Sequence, residues 1–312
     1  MSETARHDPT YLLIPAAFVL LWSSGFIAAK IGLGHADTLT FLGLRYGVVT
    51  VLMGIIAVAM RAPWPKTWRE AGHIAVAGAL LQALYFGGIW LAMGLGVGAG
   101  VAALIVCMQP ILTAAVVGPI LGERVSGRQW LGLFLGFAGV AIVVARKLSL
   151  GLGTTEGMVW AFVGLLGITF GTIYQKKYCA DMAPRSGSTI QFLVAALLVS
   201  PFALLLEDGA IHWTPAFVGA LAYMAVFLSV VSMVLLTIMI RRGAVSRMTS
   251  MFFLVPPMAT FLGYLILDEP VGWVALTGMA VAVAGVGLVV APARSKAQSV
   301  ETVAPSPNKA ET

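Results

Sequence analysis

Residues 110–144 read PILTAAVVGPILGERVSGRQWLGLFLGFAGVAIVV, and residues 256–290 read PPMATFLGYLILDEPVGWVALTGMAVAVAGVGLVV. At an offset of 146 residues the two stretches align without a gap. Pro110 falls on Pro256, Glu123 on Glu269, Val125 on Val271 and Gly132 on Gly278. Ala138-Gly139-Val140 falls on Ala284-Gly285-Val286, and Val143-Val144 on Val289-Val290. In all, 11 of 35 positions are identical, where residue frequencies alone give roughly three. The same shift sets Gly25 on Gly171 and Lys30 on Lys176. The chain therefore reads as a duplication. Residues 11–150 form one unit and 151–292 a second, flanked by a short segment 1–10 and a tail 293–312.

The solvent of both halves follows from composition. Hydrophobic residues make up 59% of the chain, charged residues 10%, and the mean hydropathy is +0.94. A soluble domain carries about 25% charged residues, so lipid must face much of this surface. A membrane helix needs about 20 mostly apolar residues. Ten such spans are predicted: 11–31, 38–60, 71–92, 98–120, 129–146, 157–177, 187–206, 214–240, 244–267 and 271–291. The runs lack the two-residue alternation of a membrane barrel. The first is too long for a signal-peptide core and is read as a retained helix. The tail, rich in Ala, Pro, Ser and Lys, is expected to be disordered.

The net charge of +6 follows membrane orientation rather than nucleic acid. With the N-terminus in the cytoplasm, the inner segments hold Arg6, Arg61, Lys66, Arg69, Arg124, Arg128, Lys176, Lys177, Arg185, Arg241, Arg242, Arg247, Arg294, Lys296 and Lys309. The outer loops hold Arg146 and Lys147, with Lys30 and Arg45 near the outer ends of spans one and two. Cytoplasmic loops collect Lys and Arg, so both termini are expected inside. Cys107 and Cys179 give no disulfide framework and are expected as free thiols.

Five spans per half is an odd number, so the second half enters the bilayer from the opposite side. Two inverted five-helix repeats related by an axis in the membrane plane are the signature of alternating-access transporters. The fold class is thus an all-α polytopic membrane protein. A channel can share the symmetry. A membrane enzyme needs a catalytic constellation, and four scattered histidines without metal-ligand spacing or an intramembrane acid–base pair supply none. No cofactor or metal is expected. The partners are a small-molecule substrate and the bilayer, and one monomer supplies both halves of a pathway.

Several motifs resemble a known family. Trp22-Ser23-Ser24-Gly25-Phe26 with Lys30, and Leu44-Arg45-Tyr46, look like the opening of an EamA-type protein. Pro110 followed by Leu121-Gly122-Glu123-Arg124-Val125, Gly132 and Gly139 is similar to that family's repeat signature. Pro256 followed by Leu267-Asp268-Glu269-Pro270-Val271 matches it again. The family belongs to the drug/metabolite transporter superfamily. The resemblance spans about residues 11–291. It implies ten helices, a central cavity and export of amino acids or related metabolites from a bacterial inner membrane, with the aromatic amino acid exporters as the preferred neighbour. Nucleoside or drug export remains the alternative. Gln191 stands where Arg45 would repeat.

A site between inverted repeats lies near mid-membrane. The candidates are Trp22, Ser23 and Ser24 of span one, Gln82, Tyr85 and Phe86 of span three, with Ile89 on the same face, and Gln109 of span four. The second half adds Thr169, Phe170, Tyr174, Ser229, Ser232, Phe252 and Phe253. Such a lining, aromatic with few polar hooks, suits a zwitterion with an apolar side chain. A phosphate site wants buried Lys or Arg pairs, and none lies mid-span. Each aromatic can equally serve packing, and Gln82 and Gln109 can equally join helices. Pro110 and Pro256 are expected to kink symmetry-related helices.

All 13 Asp and Glu residues fall in loops, tails or span ends, which favours uniport, exchange or downhill export over coupling to an intramembrane carboxylate. Lys30 with Glu269 at the outer face, and Lys176 with Glu123 at the inner face, form candidate alternate latches. The competing explanation is charge asymmetry plus helix capping. The glycine run 94–100 has no phosphate-binding context and reads as a tight connection.

Overall fold

A computed structural model describes residues 10–109, 112–113, 116, 127–149, 153–231, 235 and 255–290. The segment 1–9 and the tail 293–312 lie outside the described residues. The first half contains α1 Thr10–Leu33, α2 Thr38–Ala59, α3 Trp68–Gly94, α4 Ala99–Val106 and α5 Gly127–Ser149. The second contains α6 Thr155–Tyr178, α7 Pro184–Leu206, α8 Pro215–Tyr223, α9 Val255–Leu267 and α10 Trp273–Val290. Among the described residues, five helices have the length and apolar character to cross a bilayer: α1, α2, α3, α6 and α7.

Local chemistry sets the starts. Thr67, Thr154 and Thr214 each accept a hydrogen bond from the backbone N–H three residues on, satisfying first-turn donors of α3, α6 and α8. Pro184 and Pro215 occupy first-turn positions, where a missing N–H costs nothing. Helix α4 stops at Val106, four residues before Pro110. That is the carbonyl a proline at 110 deprives of its donor. Pro110 itself lies outside the described residues. Pro256 is buried in the first turn of α9.

Two helices deviate in register with the duplication. Ala79–Phe86 within α3, and Met224–Val231 continuing α8, are π-helical. Shifted by 146, the first segment falls one residue from the second. π segments often mark functional positions, because the wider turn re-aims side chains.

Packing obeys a two-fold relation. Helix α2 packs on α7 and α5 on α10, while α1 packs on α8 and α9 as α6 packs on α3 and α4. The glycines give the symmetry at atomic scale. A Cβ on Gly43 would lie 3.1 Å from Ser200 Oγ, and one on Gly54 would lie 3.6 Å from Thr189 Cγ2. Residues 43 and 189 are repeat mates, as are 54 and 200. A Cβ on Gly139 would lie 2.5 Å from the Gly278 carbonyl, and one on Gly285 would lie 2.7 Å from the Gly132 carbonyl. These are again mates exchanging partners, the rule for a two-fold contact.

The outer face is apolar as well. Val51, Ile55 and Val58 of α2, and Leu204, Leu205 and Leu206 of α7, are 62–83% exposed. A helix apolar on all sides belongs in lipid. Inside, Phe41 packs on Trp90 and Phe217 at 4.8 and 5.2 Å between ring centroids.

One cap crosses between halves. Asp37 precedes α2 without a side-chain cap bond. Glu207, at the end of α7, instead accepts from Leu39 N at 2.8 Å, Thr40 N at 2.7 Å and Thr40 Oγ1 at 2.9 Å. Glu207→Ala should lower stability by about 1–3 kcal/mol, with Glu207→Gln in between, since charged hydrogen bonds are worth more than neutral ones. Thermal unfolding in detergent measures the order.

Candidate functional site

A cavity of about 50 Å³ lies where both halves meet. Trp22, Gly25 and Phe26 line it from α1, Arg45 from α2, and Tyr85, Phe86, Ile89, Trp90 and Met93 from α3. Met224 and Leu228 line it from the π segment after α8. The volume suits only a few waters, so the helices must part to admit an organic solute. Glycines set the approach: Cβ atoms on Gly164 and Gly167 would lie 2.9 and 2.7 Å from the Tyr85 backbone. Helix α6 thus lies directly against α3 behind the cavity wall.

Four expected residues, Trp22, Tyr85, Phe86 and Ile89, line this cavity. Others lie beside it. Ser24 Oγ is 2.6 Å from Tyr223 Oη, joining α1 to α8. Ser23 is fully buried and donates to the Val255 carbonyl of α9. Tyr46 Oη donates to the Gln82 backbone carbonyl at 2.6 Å, while Gln82 Oε1 is buried with no hydrogen-bond partner among the described residues. Ser229 donates to the Met224 carbonyl inside the π segment.

The structure does not bring the remaining candidates to the cavity wall. Phe170 points outward, 44% exposed. Thr169, one position earlier, is buried and donates to the Leu165 carbonyl of its own helix. Gln109 Nε2 donates to Thr172 Oγ1, an exposed helix–helix bond. Tyr174 Oη sits 2.8 Å from His73 Nδ1, and His73 stacks on Tyr178 at 4.8 Å and 8°. That cluster closes one end of α3 against α6. Beside it Cys179 is buried, and burial raises its thiol pKa. Ser232, Phe252, Phe253, Pro110 and Glu123 lie outside the described residues.

Arg45 is the residue the sequence reading placed at a span end. It sits two turns into α2, is 3% exposed, and faces the cavity. Its guanidinium carbon lies 4.9 Å from the Phe86 ring centre, 5.2 Å from Trp90 and 5.7 Å from Tyr46. Nε and Nη1 have no hydrogen-bond partner among the described residues. Burying a charge costs several kcal/mol, and each desolvated cation–π contact returns about 2 kcal/mol. An unpaired arginine within an apolar span was the available signal.

At the far end of α1, Lys30 Nζ donates to the Met93 carbonyl at 3.2 Å and the Val97 carbonyl at 3.1 Å. Glu269 Oε1 accepts from Ala99 N at 3.0 Å. Lys30 and Glu269 therefore grip the same α3–α4 connection from two elements. Lys176 is exposed at the end of α6.

A membrane-embedded bundle with two-fold related halves and an aromatic cavity between them defines a polytopic transporter. Comparison with known proteins agrees. The EamA-like transporter family matches residues 9–145 and again 155–291, so the matches begin 146 residues apart, and the chain belongs to that family. It is 28% identical over 303 residues to the uncharacterized transporter YvbV of Bacillus subtilis (strain 168), covering 93% of this chain and 94% of the relative. It is 25% identical over 250 residues to the uncharacterized inner membrane transporter YedA of Escherichia coli (strain K12), covering 79% of each. It is 24% identical over 277 residues to a probable amino-acid metabolite efflux pump of Salmonella typhimurium, covering 86% and 90%. A solved crystal structure shares the fold with TM-score 0.60 and 17% identity, covering 88% of this chain and 94% of that one.

Proposed function

We propose that this transporter exports small zwitterionic metabolites, amino acids with apolar or aromatic side chains foremost, by alternating access of its two repeats. One observation carries the reading: an aromatic cavity with a single cation, lined by α1–α3 of one repeat and the π segment of the other. Rings give an apolar side chain its surface, and few polar groups fix orientation. The efflux-pump name of the Salmonella relative supports export and the amino-acid class. The excess of Lys and Arg in the segments assigned to the inner side supports cytoplasmic termini in a bacterial inner membrane, and the internal duplication supports a pathway built by one chain.

Purified protein in liposomes, offered labelled amino acids and nucleosides, tests this. Phenylalanine flux should saturate and accelerate when unlabelled phenylalanine waits on the opposite side. Flux linear in concentration without counterflow would make the protein a channel. Counterflow by nucleosides alone would change the substrate class. Tyr85→Ala should raise the KM for phenylalanine about tenfold, since one aromatic contact contributes roughly 0.5–1.5 kcal/mol beyond its buried area. Unchanged kinetics would remove Tyr85 from the substrate's path.

A further inference from the structure

Arginine remains charged in proteins and offers five N–H donors in a planar fork. In Arg45 two of the three nitrogens, Nε and Nη1, are buried without a hydrogen bond. The side chain faces the cavity between the repeats, and no carboxylate pairs with it among the described residues. Tyr46, Phe86 and Trp90 present ring faces, which tolerate a cation without engaging its N–H groups.

The repeat mate makes the contrast. Gln191 occupies the equivalent position in α7, buried to 5% exposure. Its Nε2 donates to Gln175 Oε1 at 2.8 Å and reaches Met182 Sδ at 3.9 Å. One repeat satisfies its polar group internally. The other leaves a stronger donor unsatisfied beside a cavity that both repeats line. Natural interiors pair their polar groups, so an orphaned fork facing a cavity points to a ligand with acceptors for it.

We propose that Arg45 is the subsite that takes the carboxylate of the transported solute, in a two-pronged hydrogen bond, while the rings around it take the apolar part. Guanidinium and carboxylate match in geometry and charge, and a dry site strengthens the bond. This rests on the amino-acid reading and sharpens it: the carboxylate, not the amine, is the group recognised by charge.

The test separates this subsite from the transport reading by using binding as well as flux. Purified wild type and Arg45→Met are heated in detergent with 3-phenylpropionate or its neutral counterpart 3-phenylpropanol. The expected result is a melting shift of several degrees for wild type with the acid, none with the alcohol, and no acid-specific shift for Arg45→Met. Without ligand, Arg45→Met should melt no lower than wild type, because a buried unpaired charge is gone. In liposomes, phenylalanine should be preferred over phenylalaninamide by at least about 100-fold in kcat/KM, as unpaired site groups reject analogues strongly. Arg45→Lys should narrow that ratio by keeping charge and losing the fork. Equal shifts from acid and alcohol, or an Arg45→Met protein that melts lower and keeps the acid preference, overturns the proposal. If wild type transports no amino acid yet shows the acid-specific shift, the transport reading fails and the carboxylate subsite stands.

Discussion

Gly139→Ala is expected to destabilise the protein by about 1–3 kcal/mol, although alanine is the better helix former. The added methyl would lie 2.5 Å from both the Ala282 N and the Gly278 carbonyl, backbone atoms that cannot rotate away. Helices α5 and α10 must separate, and helix association in lipid depends on close packing of small residues. Gly285→Ala meets the Gly136 N and, at 2.7 Å, the Gly132 carbonyl, and should cost a similar amount. The double variant should cost less than the sum, because once the pair has parted the second methyl finds room. Gly47→Ala in α2 is the control: its Cβ meets nothing within 4 Å. The same chemical change there should be neutral or stabilise by about 0.5–1 kcal/mol. Monodisperse protein remaining after stepwise heating ranks the variants. If Gly139→Ala and Gly47→Ala behave alike, the glycines of the repeat signature are not packing residues.

That comparison shows what was legible in the sequence. Gly132, Gly139, Gly278 and Gly285 stood out by recurring at one offset, and they recur because a two-fold contact imposes the same steric demand twice. The cavity face of α3 was legible as well, since Tyr85, Phe86 and Ile89 lie on one side whether the turn is α or π. The π segments themselves were not, because they are backbone deviations that side-chain pattern does not encode. Phe170, named as a cavity candidate, faces outward for a simple reason. Adjacent helical residues point about 100° apart, so Thr169 can be buried while its neighbour faces outward. Arg45 was masked by a competing rule: long basic side chains near a span end usually reach for the interface. Only the packing of Phe86 and Trp90 over the guanidinium shows that this one turns inward. Glu207 could not be assigned from sequence, because it caps a helix 168 residues away.

Lys30 and Glu269 set up the sharpest test of mechanism. Lys30 binds the last carbonyls around the α3 terminus, and Glu269 binds the first N–H of α4, charges matched to each helix end. The carboxylate comes from the second repeat and the loop from the first, so the contact crosses the pseudo-dyad at one end of the bundle. By the repeat, Glu123 should perform the same service at the opposite end, in the opposite conformation. We therefore expect Glu269→Ala and Glu123→Ala to shift the same equilibrium in opposite directions. A hydrogen bond to a charged group contributes about 1.5–3 kcal/mol, enough to change a minor population ten- to a hundredfold. The reporter is a cysteine at Met93, a cavity residue 2% exposed beside the Lys30 contact, with Cys107 and Cys179 replaced by serine. Its alkylation by an impermeant reagent, added on the side that charge asymmetry assigns to the outside, reads opening at that end. Glu269→Ala should accelerate labelling at least tenfold, and Glu123→Ala should slow it, because each removes the bond that favours one closed end. Acceleration by both variants would mean that the carboxylates only stabilise the bundle, and inverted duplication would then describe its architecture without describing its gate.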